Sequence, residues 1–386
     1  MKKLKIGFIS CISLMLLTGC WDRMEVNDVA FVTATGFDKV DENAFQISVQ
    51  IPLPSAMGGA GSSGGGGGTS GGPSYIDSEI GRNVREANDN LQSRLSRQLF
   101  FGHRRVLVFG EEMARGGFEK SLQLVLEQPQ SRLSSYVLVT EGEAMDILTA
   151  TPHLERLSSE AMREIVKAGK PVTVKDVLSD IGSEGKDPVL PFVKTIKTKN
   201  GKTKEVKDEI AVEGSAIFKG QKLSYFTKDE ESNGVRWLLD GMEEKNYTFS
   251  VRDNEELNVQ VMKVKVQTDY KIVNDLPSFN LKIVTEANMM QNEAQLKLGD
   301  VSAYKLATKA MEKQIVKEVE ALLNHSMDEG IDVFGLGLHV VIKDNLLWEE
   351  KLKKHWRELL PDIKVKVEAQ ASIEQVLNSG IDIKEE

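Results

Sequence analysis

Residues 104–140, RRVLVFGEEMARGGFEKSLQLVLEQPQSRLSSYVLVT, carry the pattern that decides the fold. Arg104 to Phe109 is a short apolar run closed by Gly110 and reads as a strand. Glu111 to Glu127 then brings Phe118, Leu122, Val125 and Leu126 to one side of a helix. Tyr136 to Thr140 is a second strand, dense in Val. Upstream, Asp77 to Leu99 spaces Ile80, Val84, Ala87, Leu91, Leu95 and Leu99 at helical intervals, which predicts one helix. Val29 to Phe37 and Phe45 to Ile51 precede it as strands. Strands alternating with helices in this way predict an α/β sheet layered with helices, its strand order left open. Further helices are expected at Ala144 to Leu148, Leu154 to Ala168 and Val174 to Ile181.

The pattern changes in the second half. Lys194 to Asp208 is rich in Lys, Thr and charge and contains Asn200-Gly201, a hairpin or linker signal, and a domain boundary is placed close to it. Beyond it come strands at Ile210 to Lys219, Lys222 to Phe226, Tyr247 to Val251, Leu257 to Thr268 and Ser278 to Ala287. Helices are expected at Asp229 to Leu239, Val301 to Met327 and Leu347 to Leu360, and a closing strand at Ile363 to Val367. Runs of strands followed by long helices make this an α+β unit. The expected fold is therefore mixed α/β and α+β, with two or three domains. An α/β unit spans residues 20–200, and an α+β unit, divisible into two subdomains, spans residues 205–386.

Between Ser55 and Ser74 ten of twenty residues are Gly, so this segment has little apolar surface to bury and predicts a mobile loop. A phosphate-binding glycine loop is the sharper reading, but no Lys-Ser/Thr follows and no acidic residue is placed for a ribose.

The amino terminus is built for export. Lys2, Lys3 and Lys5 precede the apolar run Ile6 to Leu16, which has the length of a secretory signal and is too short to span a bilayer. Leu17-Thr18-Gly19-Cys20 follows and resembles the bacterial lipobox. Residues 1–19 are thus expected to be removed. Cys20 is expected to carry S-linked diacylglycerol, with N-acylation by a chain such as palmitate as a further modification. Two or more acyl chains, each gaining about 0.8 kcal/mol per buried methylene, give stable anchoring. Cys11 is the other cysteine, and it lies in the removed segment, so disulfides and Cys-based zinc sites are excluded from the mature fold. The formal charge of -9 becomes about -12 without the three lysines. An acidic surface disfavours nucleic acid and anionic headgroups, so a basic patch is not expected to hold the chain at a membrane.

No motif assembles a catalytic centre. His103, His153, His325, His339 and His355 form no H-E-x-x-H, and no two share a helix at four-residue spacing. No G-x-S-x-G elbow frames Ser158 or Ser159, and Gly335-Leu336-Gly337 lacks the third glycine of a dinucleotide fingerprint. Carboxylate pairs such as Glu111-Glu112, Glu230-Glu231 and Glu349-Glu350 read as solvated helix surface. His103, Arg104 and Arg105, adjoining at a strand start, could hold an anionic group, and the plainer reading is a polar rim around a loop. Trp348, Leu352, Trp356 and Leu359 form a stripe that reads as core, or as a partner-facing surface. No catalytic residue, cofactor or metal is expected.

Several segments carry a family resemblance. Gly19-Cys20-Trp21-Asp22-Arg23-Met24-Glu25-Val26-Asn27-Asp28, followed by the Thr-Gly-Phe-Asp strand end Thr35 to Asp38, resembles the start of the Ger(x)C lipoproteins, the C-subunits of spore germinant receptors. The likeness continues at Phe101 to Gly110, at Gly214 to Lys219, at Asp332-Val333-Phe334-Gly335-Leu336-Gly337 and at Trp356. The glycine-rich insertion at Ser55 to Ser74 departs from it. The resemblance implies a non-enzymatic subunit of a nutrient-germinant receptor in spores. It would be lipid-anchored on the outer face of the spore inner membrane, with integral-membrane A-type and transporter-like B-type subunits as partners and no nucleic acid. It transfers one site residue, Cys20. The competing reading from the lipobox alone is a solute-binding lipoprotein of a transporter.

Overall fold

The apolar runs of the first half do become neighbouring strands. They are seen in a computed structural model that describes residues 25–53, 72–199, 201–239, 241–253 and 255–374. The signal segment, Cys20 and most of the glycine-rich stretch lie outside the described residues. The chain passes through β1 (Val29–Phe31) and β2 (Ala34–Asp41), then β3 (Ala44–Pro52) and β4 (Ser74–Gly81). Helix α1 (Val84–Ser93), β5 (Gln98–Phe100), β6 (Val106–Phe109), α2 (Glu111–Gly116), α3 (Glu119–Glu127) and β7 (Tyr136–Thr140) follow. Helices α4 (Ala144–Thr149), α5 (Ser158–Lys167) and α6 (Val174–Gly182) lead to β8 (Val189–Lys199), β9 (Val206–Lys219) and β10 (Lys222–Phe226).

Eight of these strands form one sheet in the order β10-β9-β8-β7-β6-β2-β3-β4. Its centre, β2-β6-β7-β8, is parallel, and antiparallel pairs flank it on both sides. All four residues of β6 are buried, and they face opposite ways. Leu107 and Phe109 join Phe37 under α1, α2, α3 and α6, while Val106 and Val108 join Ala34 under α4 and α5. A strand covered on both faces is why the run is apolar without alternation. β1 and β5 pair in parallel as a small separate sheet ahead of β2 and β6.

The second unit contains α7 (Asp229–Leu238), β11 (Asn246–Arg252), β12 (Glu255–Val273), β13 (Leu276–Asn292), α8 (Val301–Asp328), α9 (Leu336–Lys343) and β14 (Val365–Glu374). Its sheet runs β11-β12-β13-β14, antiparallel except for the last pair. Helix α8 lies on it, with Ala307, Met311, Ile315, Val319 and Leu322 all fully buried along one side.

Three elements differ from the sequence reading. Residues 77–99 are not one helix. Residues 74–81 add to β3 as an edge strand, Ile80 is exposed, and Asn83 starts α1 by accepting the Glu86 amide at 2.9 Å. The four-residue spacing of Ile80 and Val84 runs from the end of the strand into the helix, and Asn83-x-x-Glu86 marks where one ends and the other begins. The helix expected at Glu111 to Glu127 breaks at Gly117, whose φ of 103° no L side chain adopts easily. The helix expected at Leu347 to Leu360 is irregular. It includes a π turn over Trp348–Leu352, then a 3₁₀ turn. Spacings of four residues outrun a 3.6-residue turn, and under-winding keeps Trp348, Leu352 and Trp356 on one buried side. Among the alternatives left open for that stripe, the core reading holds.

Lys194 to Asp208 is a hairpin within the first sheet. Register runs from Lys194↔Ala211 to Lys199↔Val206, and the sheet continues to Phe226.

Candidate functional site

The resemblance-bearing segments converge on two places, each built around a buried aspartate. At the carboxyl ends of the parallel strands, Asp38 follows Phe37, the last residue of β2 paired with β6, and is 4% exposed. Its oxygens accept the Ala144 amide at 2.7 Å and the Met145 amide at 3.3 Å, capping α4. The neighbouring residues are fitted to this. A side chain at Gly110 would strike Asp38 Oδ1, one at Gly36 would press on Ala144, and Phe37 stacks on Phe109 at 5.4 Å. Burial pushes the Asp38 carboxyl up to about 6, against the two amides that favour its anion.

That shift fixes a sign. The folded chain holds the Asp38 proton more tightly than the unfolded chain, whose carboxyl titrates near 4. Asp38 therefore favours the fold below that range and loses this contribution as pH rises through about 6. Asp38→Asn keeps a capping oxygen and removes the titration. Measured by urea midpoints, the variant should gain on the wild type between pH 4.5 and 7.5 by at most about 3 kcal/mol. A gain on acidification instead would show the sign to be wrong.

The second place joins the two units. Asp332, fully buried, accepts the amides of Gly335, Leu336 and Gly337 at 2.7–2.8 Å and Trp356 Nε1 at 3.1 Å. Burial raises its carboxyl to about 6. The Asp-Val-Phe-Gly-Leu-Gly segment is thus a carboxylate seated on the start of α9, with Gly335 in the left-handed region at φ 85°. Gly337 lies against Gly185 of the first unit, where a side chain would sit 2.7 Å from Gly185 Cα and 2.8 Å from the Trp356 ring. Beside it, Asp187 accepts Gly220 N and Asp332 N at 2.7 and 2.9 Å and is paired in two-pronged fashion by Arg357 at 2.7 and 2.9 Å. Trp348 donates to Glu184 at 2.6 Å and packs edge-on against Trp356 at 5.2 Å. Lys219, ending the Gly214 to Lys219 segment, donates to the Glu329 carbonyl at 2.7 Å at the end of α8.

Two clefts flank this junction, of about 660 and 450 Å³. Their shared walls are Lys186 and Asp187. Lys186 is taken up by Asp180, and Asp187 by Arg357. Among the described residues no group of His, Cys, Asp and Glu is arranged to hold a metal, and no helix is long and apolar enough to cross a membrane. What the junction can do is hold two units in one relative position; it presents no nucleophile paired with a base.

Of the residues singled out in the sequence, Cys20 lies outside the described residues. The trio at 103–105 divides. His103 and Arg105 are exposed as a rim would be, but Arg104 is 4% exposed. Arg104 donates to Ser131 Oγ at 3.0 Å, leaves Nε unpartnered and has no carboxylate beside it, and burial lowers it to about 9. Sequence reasoning missed Asp187, Arg357 and Glu318, single charged residues with no local pattern. Asp38 and Asp332 stood in the quoted segments, but no role had been attached to them.

Comparison with known proteins identifies the class. Residues 22–195 match the family described as "Spore germination protein N-terminal domain", and residues 213–376 match "Spore germination B3/ GerAC like, C-terminal". The chain belongs to this family of spore germination proteins. It is similar to the putative spore germination protein YfkR of Bacillus subtilis, with 33% identity over 94% of each chain. Spore germination protein KC of the same organism is 25% identical, over 96% of this chain and 95% of that one. The crystal structure of the GerBC protein shares the fold, with a TM-score of 0.52 at 16% identity, covering 88% of this chain and 96% of that one. The mixed architecture expected from the sequence is therefore that of a solved relative.

Proposed function

We propose that this chain is the lipid-anchored C-type subunit of a spore nutrient-germinant receptor. It acts through contacts with integral-membrane A-type and B-type subunits rather than through chemistry of its own. The observation that carries the proposal is the pair of family matches covering residues 22–195 and 213–376 in order. The junction supports it, because its glycines and buried carboxylates serve fixed geometry and leave no reacting group. Cys20 carries the lipid, residues 1–19 are the removed signal, and the mature chain sits on the outer face of the spore inner membrane. The two units serve as its N-terminal and C-terminal domains.

Deleting the gene in a spore former, together with close paralogues, should abolish or slow germination with at least one nutrient. Normal germination with every nutrient tested would refute the receptor role. Cys20→Ala is expected to leave an uncleaved precursor or shift the protein wholly to the soluble fraction, since no other cysteine of the mature chain can take the thioether. Wild-type processing and membrane fractionation of that variant would remove Cys20 from the proposal.

A further inference from the structure

Net charge argues against a basic contact with lipid, but a tethered protein meets a bilayer with one face. The face nearest the tether is set by where the described chain begins. Glu25 leads through a 3₁₀ turn, Val26–Asp28, into β1, which pairs with β5 ahead of the parallel strands. Five peptide steps separate Cys20 from Glu25, a reach of at most roughly 18 Å. The end of the sheet at which β2, β6 and β7 start is therefore held against the headgroups, and Asp38 lies at the opposite end.

The surface at that end is unlike the chain average. Arg97 adjoins Gln98, the partner of Val29. Arg105 donates its amide to the Thr33 carbonyl, where β2 begins, and Arg132 lies in the turn whose Ser131 and Ser135 bond to Arg104. Arg97, Arg105 and Arg132 are exposed, and Arg97 and Arg132 have no carboxylate partner among the described residues. Arg104 lies buried behind them without a counter-ion among the described residues. Arg105 shares Glu160 with Arg163, and Glu25 and Asp28 are the exposed acids where the chain arrives. Among the cations stand Val26, 71% exposed, and Leu133, 41% exposed, with Phe31, Phe100 and His103 in mutual ring contact. Cations around apolar tips, within reach of a lipid-bearing cysteine, are the composition of an interfacial contact.

We infer that this face, centred on Arg97, Arg105 and Arg132, docks on anionic phospholipid headgroups and fixes the orientation of the ectodomain on the bilayer. The inference rests on Cys20 carrying the lipid. The acidic remainder of the surface does not oppose it, because at physiological salt its field is screened over about 8 Å. Each arginine brought to an anionic surface strengthens attachment about fivefold.

The test uses the mature lipoprotein in vesicles. Its only cysteine is acylated, so one introduced cysteine accepts a fluorophore. Ser134→Cys places the probe at the proposed contact, and Glu143→Cys places it at the opposite end of the sheet; both positions are exposed. In phosphatidylglycerol–phosphatidylcholine vesicles carrying a headgroup quencher, the probe at 134 should be quenched several-fold more than the probe at 143. That difference should collapse in pure phosphatidylcholine, at about 0.5 M salt, and in Arg97→Glu/Arg132→Glu. Equal quenching at the two sites, or a difference indifferent to lipid charge and to the double variant, would overturn the inference. Failure of the protein to float with vesicles would instead count against the lipid on Cys20, so the two readings fail separately.

Discussion

Arg357→Met is expected to destabilise the folded chain by about 3 kcal/mol, read as a fall in the urea midpoint at unchanged slope. The reason is the partner it abandons. Asp187 is 2% exposed, and among the described residues Arg357 supplies its only cationic contact, through two parallel bonds at 2.7 and 2.9 Å. Removing one member of a fully buried pair costs about 3–5 kcal/mol; here the carboxylate is buried while Arg357 is 44% exposed. The amides of Gly220 and Asp332 still face Asp187, which places the loss at the low end. Lys263→Met provides the contrast. Lys263 and Glu286 are equally close at 2.9 Å but 70% and 56% exposed, so that loss should stay within about 1 kcal/mol. Comparable losses from the two variants would mean that burial is not what makes the Asp187 pair matter.

The contrast also explains which parts of the molecule were legible in the sequence. Val106 to Phe109 and Tyr136 to Thr140 read as strands because burial on both faces leaves Val106 to Phe109 and Val137 to Val139 wholly apolar. The long helix from Val301 was legible through its 3.6-residue stripe. Periodicity failed where one spacing runs across two structures, as at Ile80 and Val84, and where a glycine broke a run, as at Gly117. The charged stretch at Lys194 to Asp208 is the solvated end of a long hairpin, and composition cannot tell that from a linker. The junction was half legible. Its glycines and tryptophans stood out, but their purpose depends on Gly185 and Asp187, which lie about 150 residues away and meet them only in the fold.

The same logic makes Glu318 the most consequential position in the second unit. It lies inside α8 at 3% exposure, and no cation is paired with it among the described residues. Four donors hold it: Trp237 Nε1 at 2.9 Å and Tyr247 Oη at 3.0 Å on one oxygen, Asn233 at 3.0 Å and Gln314 at 3.1 Å on the other. Burial, reinforced by the adjacent carboxylate, drives the Tyr247 hydroxyl strongly upward, so it stays a donor. Gly234 allows the approach, since a side chain there would meet the Glu318 carbonyl at 2.4 Å. This carboxylate therefore ties α7 and β11 to α8 through three separate elements.

Glu318→Leu fills the space yet strands the Trp237 and Tyr247 donors, both buried, and should cost about 3–5 kcal/mol. Glu318→Gln should cost only about 1–2 kcal/mol, because the amide oxygen serves one pair of donors while Gln314 turns its own oxygen to the new N–H. Urea midpoints would give both values, and loss of protection at the α7 and α8 amides in hydrogen exchange would place the damage. If leucine were tolerated within about 1 kcal/mol while glutamine was not, the space around Glu318, rather than its four bonds, would be what the second unit depends on.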